Sequence, residues 1–262
     1  MNQVPAPFIT QGIRSDNQLP QANFLIAIVK RGVFDPSAYY AVITLHPPSY
    51  RIKMTTLPNI YIIGSQCTGK TTLVNAISES LKHHPAASAE PPGFIKEVAR
   101  SVLKKHGFTR EDIRCSQDRA LELQTLIIEA QAEAEKSELK THSWFISDRS
   151  AIDPIVYARK YVGKKAGDAL ASSAQWTEMR DRMAKSLVIL CEARVDWLTD
   201  DGVRLMPLDS AEWWKLHTEF GLVLADAGLQ YHVLPSQIMD TSERVQFVLA
   251  RWEKMITQNQ QL

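Results

Sequence analysis

The chain has 262 residues, 45% of them hydrophobic and 23% charged, which suits one medium domain with appendages and a substantial core. Its formal net charge of +1 supplies no global field for nucleic acid or an anionic surface, so neither is expected as a partner. Cys67, Cys115 and Cys191 are odd in number and far apart, which argues against a disulfide framework or zinc site, and no apolar run approaches the ~20 residues of a membrane span, so a cytoplasmic setting is expected.

Residues 1–53 contain no Glu, carry Pro5, Pro7, Pro20, Pro36, Pro47 and Pro48, and offer two short apolar runs, FLIAIV and AYYAVITL, with no helical periodicity. They are read as a poorly ordered or non-native extension, with Met54 as the natural start of a domain over 54–262. From residue 57 strand-like and helix-like stretches alternate, the pattern of a parallel sheet wrapped by helices. NIYIIG reads as a buried strand, and Leu73, Ile77 and Leu81 stripe the helix after it. HPAASAEPPG is expected to be a loop, and FIKEV a second strand. Thr109 and Asp112 form a capping box ahead of a helical region, whose long helix places Ala120, Leu123, Ile127, Ala130 and Ala134 on one face. WFISD is the third strand, and a helical hairpin over 152–185 leads to LVILCE, the fourth. Asp209 and Glu212 form a second box before a helix bearing Trp213, Leu216 and Phe220. YHVLP is the fifth strand, and Val245, Val248, Trp252 and Met255 stripe the last helix. The fold class is therefore α/β: a three-layer sandwich of about five parallel strands with helices on both faces.

Gly64-Ser65-Gln66-Cys67-Thr68-Gly69-Lys70-Thr71 matches G-x-x-x-x-G-K-[ST], with a strand before it and a helix after it. Glycines at both ends let the backbone curl around a phosphate, and the helix beginning near Lys70 adds its positive end. Lys70 is a point charge for the outer phosphates, the Thr71 hydroxyl is placed to ligate Mg2+, and Thr72 follows at the rim. A nucleoside triphosphate, ATP or GTP, is the implied ligand; the guanine-specifying N-K-x-D is missing, which tilts the expectation toward ATP. Cys67 reads as a small filler at a variable position of this loop.

The third strand ends in Asp148, an acidic residue after an apolar run and beside the loop, the usual magnesium partner in such sheets. Arg149 beside it is placed to hold a phosphate, and Asp153 lies one helical turn on. Among the remaining conspicuous residues, Trp213 reads as core, His83-His84 as a solvated helix end and Lys164-Lys165 as exposed between helices.

Three segments carry a resemblance. SDRSAIDPIVYA resembles the Asp/Glu-Arg-Ser segment of deoxynucleoside kinases, while VDWLTDDGVR and FIKEVARSVL are similar to stretches of the ribosylnicotinamide-kinase domain of the NadR regulator. Element order matches from about 57 to 258, which points to the NadR-type P-loop domain, often filed under AAA domains. The resemblance implies Glu97 and Arg100 at the substrate end of the second strand, Asp148 by magnesium or the attacking hydroxyl, and Trp197, Asp200, Asp201 and Arg204 on a small lid. The sequence departs from NadR at Asp148-Arg149-Ser150, where that family tends to Asp-Thr-Asp, and has no counterpart of its DNA-binding and adenylyltransferase parts. The segment RVDWLTDDGVR also reads as a covering loop by itself: it follows the fourth strand, Trp197 suits stacking on a ring, and Arg194 and Arg204 suit a transferring phosphoryl.

The expectation is an ATP-dependent kinase acting on the hydroxyl of a small nucleoside-like acceptor. Lys70, Asp148, Arg149, Glu97 and Arg204 would carry the chemistry, and Glu97, Arg100, Asp153, Trp197, Asp200 and Asp201 would hold the acceptor. The alternative is a nucleotide-dependent switch that binds a protein or a phosphoinositide.

Overall fold

The computed structural model of the chain describes residues 57–193 and 209–261. Five strands form one parallel sheet: β1 (Ile60–Ile63), β2 (Gly93–Ile95), β3 (Phe145–Asp148), β4 (Leu187–Cys191) and β5 (His232–Leu234), in the order β2-β3-β1-β4-β5. β1 lies at the centre, with Ile60 opposite Ile146 on one side and Leu187 on the other. Its four residues and those of β3 and β4 are all buried, which is why these strands read as unbroken apolar runs rather than alternating ones.

Successive side chains of β1 feed opposite faces. Ile60 and Ile62 join Ile146 and Ile189 beneath α1 (Lys70–Leu81) and α10 (Thr241–Gln260), where Leu73, Ile77, Val248 and Trp252 close the layer. On this face Trp144 and Trp252 stack at 4.8 Å, and the Trp252 indole N–H donates to the Pro58 carbonyl at 2.8 Å. Tyr61 and Ile63 point the other way, toward α5 (Gln117–Glu138), α6 (Ile152–Tyr161), α8 (Ala174–Met183) and α9 (Ser210–Asp226), which contribute Ile128, Ile155, Trp176 and Phe220. A smaller apolar cluster joins α5 to α3 (Val98–His106) and α4 (Arg110–Cys115) through Val102, Ile113, Leu123 and Ile127.

The Thr109–Asp112 box is present in both directions, and Asp209 caps α9 by accepting from the Glu212 amide at 2.7 Å. Three details differ from expectation. The Pro-rich stretch holds a short helix, α2 (Pro85–Ala89), because Pro85 stands at the first helical position, where its missing N–H costs nothing, and small residues follow. The expected hairpin is three helices, since Gly163, at φ 124°, ends α6 and lets α7 (Lys164–Leu170) turn away before α8; Lys164 and Lys165 therefore open a helix. α5 leaves Ala130 and Ala134 only half-buried and instead buries Gln124, Gln131 and Glu135.

Glu135 is satisfied by neighbours on the same face of the sheet. Tyr61 donates to Glu135 Oε2 at 3.0 Å, and Arg182 from α8 reaches the same oxygen. Residues 1–53 and the segment bearing Arg194, Trp197, Asp200, Asp201 and Arg204 lie outside the described residues. No helix among the described residues is long and apolar enough to cross a membrane.

Candidate functional site

The loop from Gly64 to Gly69 leaves the buffered centre of the sheet at the carboxyl end of β1 and enters α1 at Lys70. Its shape depends on both glycines. Gly64 has φ 130°, and a Cβ there would meet the Cys191 carbonyl oxygen at 2.7 Å, so only glycine lets the loop pass β4 this closely. Gly69 sits in the left-handed region as the N-cap of α1, a helix with no acidic residue in its first turn. Cys67, half-buried, adopts φ 58° between them.

Lys70 is buried inside the turn, its Nζ donating to the Ser65 carbonyl at 2.5 Å and Thr68 Oγ1 at 3.2 Å. Burial, reinforced by the nearby Arg149 charge, lowers its pKa to about 8. An ammonium held this way by neutral oxygens is a cation awaiting an anion. Two residues packed behind the loop brace it: the Trp213 indole N–H donates to the Gln66 carbonyl at 3.1 Å, and Arg244 Nη2 donates to the Thr68 carbonyl at 2.9 Å.

β3 brings Asp148 alongside. The Thr71 hydroxyl donates to Asp148 Oδ2 at 2.5 Å, while Asp148 Oδ1 is buried without a partner among the described residues. A hydroxyl and a carboxylate thus meet at the first turn of α1, with one carboxylate oxygen uncommitted. This donor set fits a hard divalent cation, which takes oxygen ligands and keeps several for water and phosphate.

Arg149, one residue on, holds φ 87° with its amide still bonded to the Ile62 carbonyl at 2.9 Å, a backbone strain that swings its guanidinium off the end of the strand. That guanidinium is buried between two carboxylates, Nε to Glu97 Oε1 at 2.7 Å and Nη1 to Asp153 Oδ1 at 2.8 Å, and Nη1 also lies 3.5 Å from the Gly64 carbonyl. Burial alone would lower its pKa, but Glu97 and Asp153 outweigh that and raise it well above the usual arginine value. Asp153 is raised by its own burial, against the pull of Arg149. Glu97, which N-caps α3, also accepts from Arg100 Nε at 2.9 Å through its other oxygen. Glu97, Arg100, Asp148, Arg149 and Asp153 therefore form one cluster at the carboxyl edge of β2 and β3.

A cleft with about 80 Å³ of water-accessible space opens on this cluster. Gln66, Glu97, Arg149 and Asp153 border its polar end, and Leu103, Ile113, Ile127 and Pro154 make much of the rest apolar. Tyr157 links cleft to loop: its hydroxyl, with its pKa pushed up to about 12 by burial, donates to Gln66 Oε1 at 2.7 Å. A second, open pocket with about 200 Å³ of water-accessible space adjoins the loop, lined by Gly69, Thr72, Leu73, Met239, Thr241 and Arg244.

Gln66 aside, the sequence motifs do not point to the residues that shape and brace this site: Gln124, Gln131, Tyr157, Trp213 and Arg244. The one available signal was two glutamines seven apart on the apolar face of α5, both of which border the cleft. Trp213 is core, as its stripe indicated, and additionally a hydrogen-bond donor to the loop.

A family model described as AAA domain matches residues 59–244. No curated protein matches the chain. Among solved structures, NadR in complex with NR is similar with a TM-score of 0.52 and 22% identity, over 68% of this chain and 46% of that one. NadR in complex with NAD and AMP-PNP gives a TM-score of 0.52 and 20% identity, over 76% and 49%. A deoxyadenosine kinase from M. mycoides with bound dATP overlaps with a TM-score of 0.49 and 16% identity, over 75% and 99%. The chain spans about half the length of the NadR chains it matches, and the likeness is one of fold.

Proposed function

The chain belongs to the AAA-domain family, and on that premise we propose that it is an ATP-dependent kinase that phosphorylates a hydroxyl of a small nucleoside-like acceptor. One observation carries the reading: a partly apolar cleft meets the phosphate loop at the Glu97–Arg149–Asp153 cluster, beside Asp148 and Thr71. A switch that bound a protein or a phosphoinositide would need no such organic pocket at the phosphate end of its loop.

In this reading the Gly64–Thr71 loop and the N-terminus of α1 bind the triphosphate, and the Lys70 ammonium, already stripped of water, gains its anion. The cavity beside Thr72, Thr241 and Arg244 takes the rest of the nucleotide. Thr71 and Asp148 would hold Mg2+, which when bound neutralises phosphate charge. Glu97, at the polar end of the cleft, orients the acceptor hydroxyl and takes its proton. The loose transition state of phosphoryl transfer asks little of such a base and much of positioning.

Arg149 acts here through others: it fixes Glu97, Asp153 and the Gly64 carbonyl in one frame, and its charge faces the incoming phosphates. Trp197, Asp200, Asp201 and Arg204 keep the covering role that the resemblance gives them. We place such a kinase in the cytoplasm, where the nucleotide it consumes is available.

The test is coupled ADP release with ATP and Mg2+ across a panel of nucleosides that includes NR, with which NadR has been solved. At least one member should raise the rate well above the no-acceptor background, and Lys70→Ala should abolish the increase. A panel that leaves the background unchanged overturns the kinase reading.

A further inference from the structure

Among the described residues, Arg149 and Tyr157 both reach from the cleft to the phosphate loop, and their bonds differ in quality. Arg149 Nη1 lies 3.5 Å from the Gly64 carbonyl, at the outer limit of a bond, whereas the Tyr157 hydroxyl reaches Gln66 Oε1 at 2.7 Å. Tyr157 stands on α6 with its ring bordering the cleft and stacked on Tyr161 at 6.0 Å. Gln66 belongs to both regions, since it borders the cleft and is the third residue of the loop.

The direction of the Tyr157 bond is fixed by what lies on its other side. The Arg149 guanidinium hydrogen-bonds the Tyr157 hydroxyl, and a guanidinium can only donate, so the phenolic oxygen accepts there and its one proton goes to Gln66 Oε1. Burial keeps that proton in place, with the pKa pushed up to about 12. Arg149 in turn holds Glu97 Oε1 at 2.7 Å and Asp153 Oδ1 at 2.8 Å. A continuous series of bonds therefore runs from Gln66 through Tyr157 and Arg149 to Glu97, from the middle of the loop to the proposed base. At the loop end it meets a segment whose shape is easily biased. Cys67, next to Gln66, holds φ 58°, a left-handed conformation that strains a non-glycine residue. The Trp213 indole on the Gln66 carbonyl and Arg244 on the Thr68 carbonyl help to keep it there. Phosphate oxygens bound by the loop amides and by Lys70 would add to those anchors and fix the position of Gln66.

We infer that Tyr157 is a positioning residue that couples the two sites: its hydroxyl transmits occupancy of the phosphate loop from Gln66 to Arg149 and Glu97, so that the cleft takes its working geometry when the triphosphate is bound. The inference rests on the kinase reading and adds a regulation of that same site. By linkage, an acceptor in the cleft tightens the triphosphate in return.

Methyl NMR of the full chain, labelled at isoleucine and leucine, tests it with AMP-PNP and Mg2+ as the probe. Ile113, Leu123 and Ile127 line the apolar part of the cleft. In the wild type, saturation with AMP-PNP should displace their peaks well beyond the linewidth. In Tyr157→Phe, which keeps the ring and removes the hydroxyl, AMP-PNP affinity by calorimetry should stay within about tenfold of the wild type while the displacement collapses. Peaks that do not move in the wild type overturn the inference and leave the kinase reading standing, as does a displacement that persists in Tyr157→Phe. A larger loss of affinity makes Tyr157 a brace of the loop and overturns the coupling too. Should that variant fail to fold, Gln66→Met breaks the same bond from the loop side, and its methyl displacements decide in the same way. A wild type that does not bind AMP-PNP overturns the kinase reading and the coupling together. Displacements as expected, with ADP release that no nucleoside raises, overturn the kinase reading and leave the coupling standing.

Discussion

In the phosphate loop the binding surface is one contiguous stretch, Gly64 to Thr71, mostly main chain with a single buried cation; in the cleft beside it the surface is side chains drawn from the ends of β2 and β3 and from α3, α5 and α6. Each region has a buried positive group. Lys70 is bonded to neutral oxygens of its own loop, and Arg149 is bonded to two carboxylates from other elements. The loop is therefore a device held ready for an external anion, at the expense of its own stability. The cleft is an internally neutralised frame that helps to hold α3 and α6 against the sheet.

Removing each cation in turn should break the symmetry most sharply. Arg149→Met removes the buried cation that Glu97 and Asp153 share and is expected to cost about 3–5 kcal/mol in urea denaturation. Lys70→Met leaves no carboxylate without its partner, and at pH 7 its stability should equal or exceed that of the wild type. Equal losses in the two variants would erase the distinction drawn here.

Next in size, Lys70→Met should weaken nucleotide binding at least about a hundredfold in a fluorescent-nucleotide titration, because a charge-assisted contact to phosphate is lost from a buried site. Retained affinity would mean that the loop does not use this ammonium.

A smaller effect follows from its pKa of about 8, set first by burial. Below that pH the free protein meets phosphate already charged. Above it binding must recapture a proton, so affinity should fall about tenfold per pH unit until the raised pKa of the complex is reached. Stability runs the other way. Between about 8 and the unfolded value near 10.4, the unfolded chain keeps a proton that the folded chain has lost, so the wild type should gain stability relative to Lys70→Met as pH rises. Denaturation and binding curves at pH 7, 8 and 9 read both slopes.

The smallest effect belongs to the brace between the regions. Trp213→Phe removes the donor to the Gln66 carbonyl while keeping most of the apolar volume, and should cost about 1 kcal/mol of stability with a few-fold change in nucleotide affinity. An effect as large as that of Arg149→Met would place the brace among the main supports.

The sequence by itself determined whatever depends on residues close along the chain. β1, the loop motif and α1 follow from an apolar run, two glycines and a helical stripe, and Thr71 and Asp148 were legible because a strand end has only one place to deliver its last residue in a parallel sheet. Tertiary structure decided the partners. Arg149 reads in the sequence as a phosphate ligand beside Asp148, yet its guanidinium meets Glu97, 52 residues away, because β2 pairs with β3. Gln131, Tyr157 and Trp213 carry no motif. Their polar ends matter only where α5, α6 and α9 stack on the sheet, and hydrogen bonds between distant segments are selected by that packing rather than by any local preference of the residues that form them.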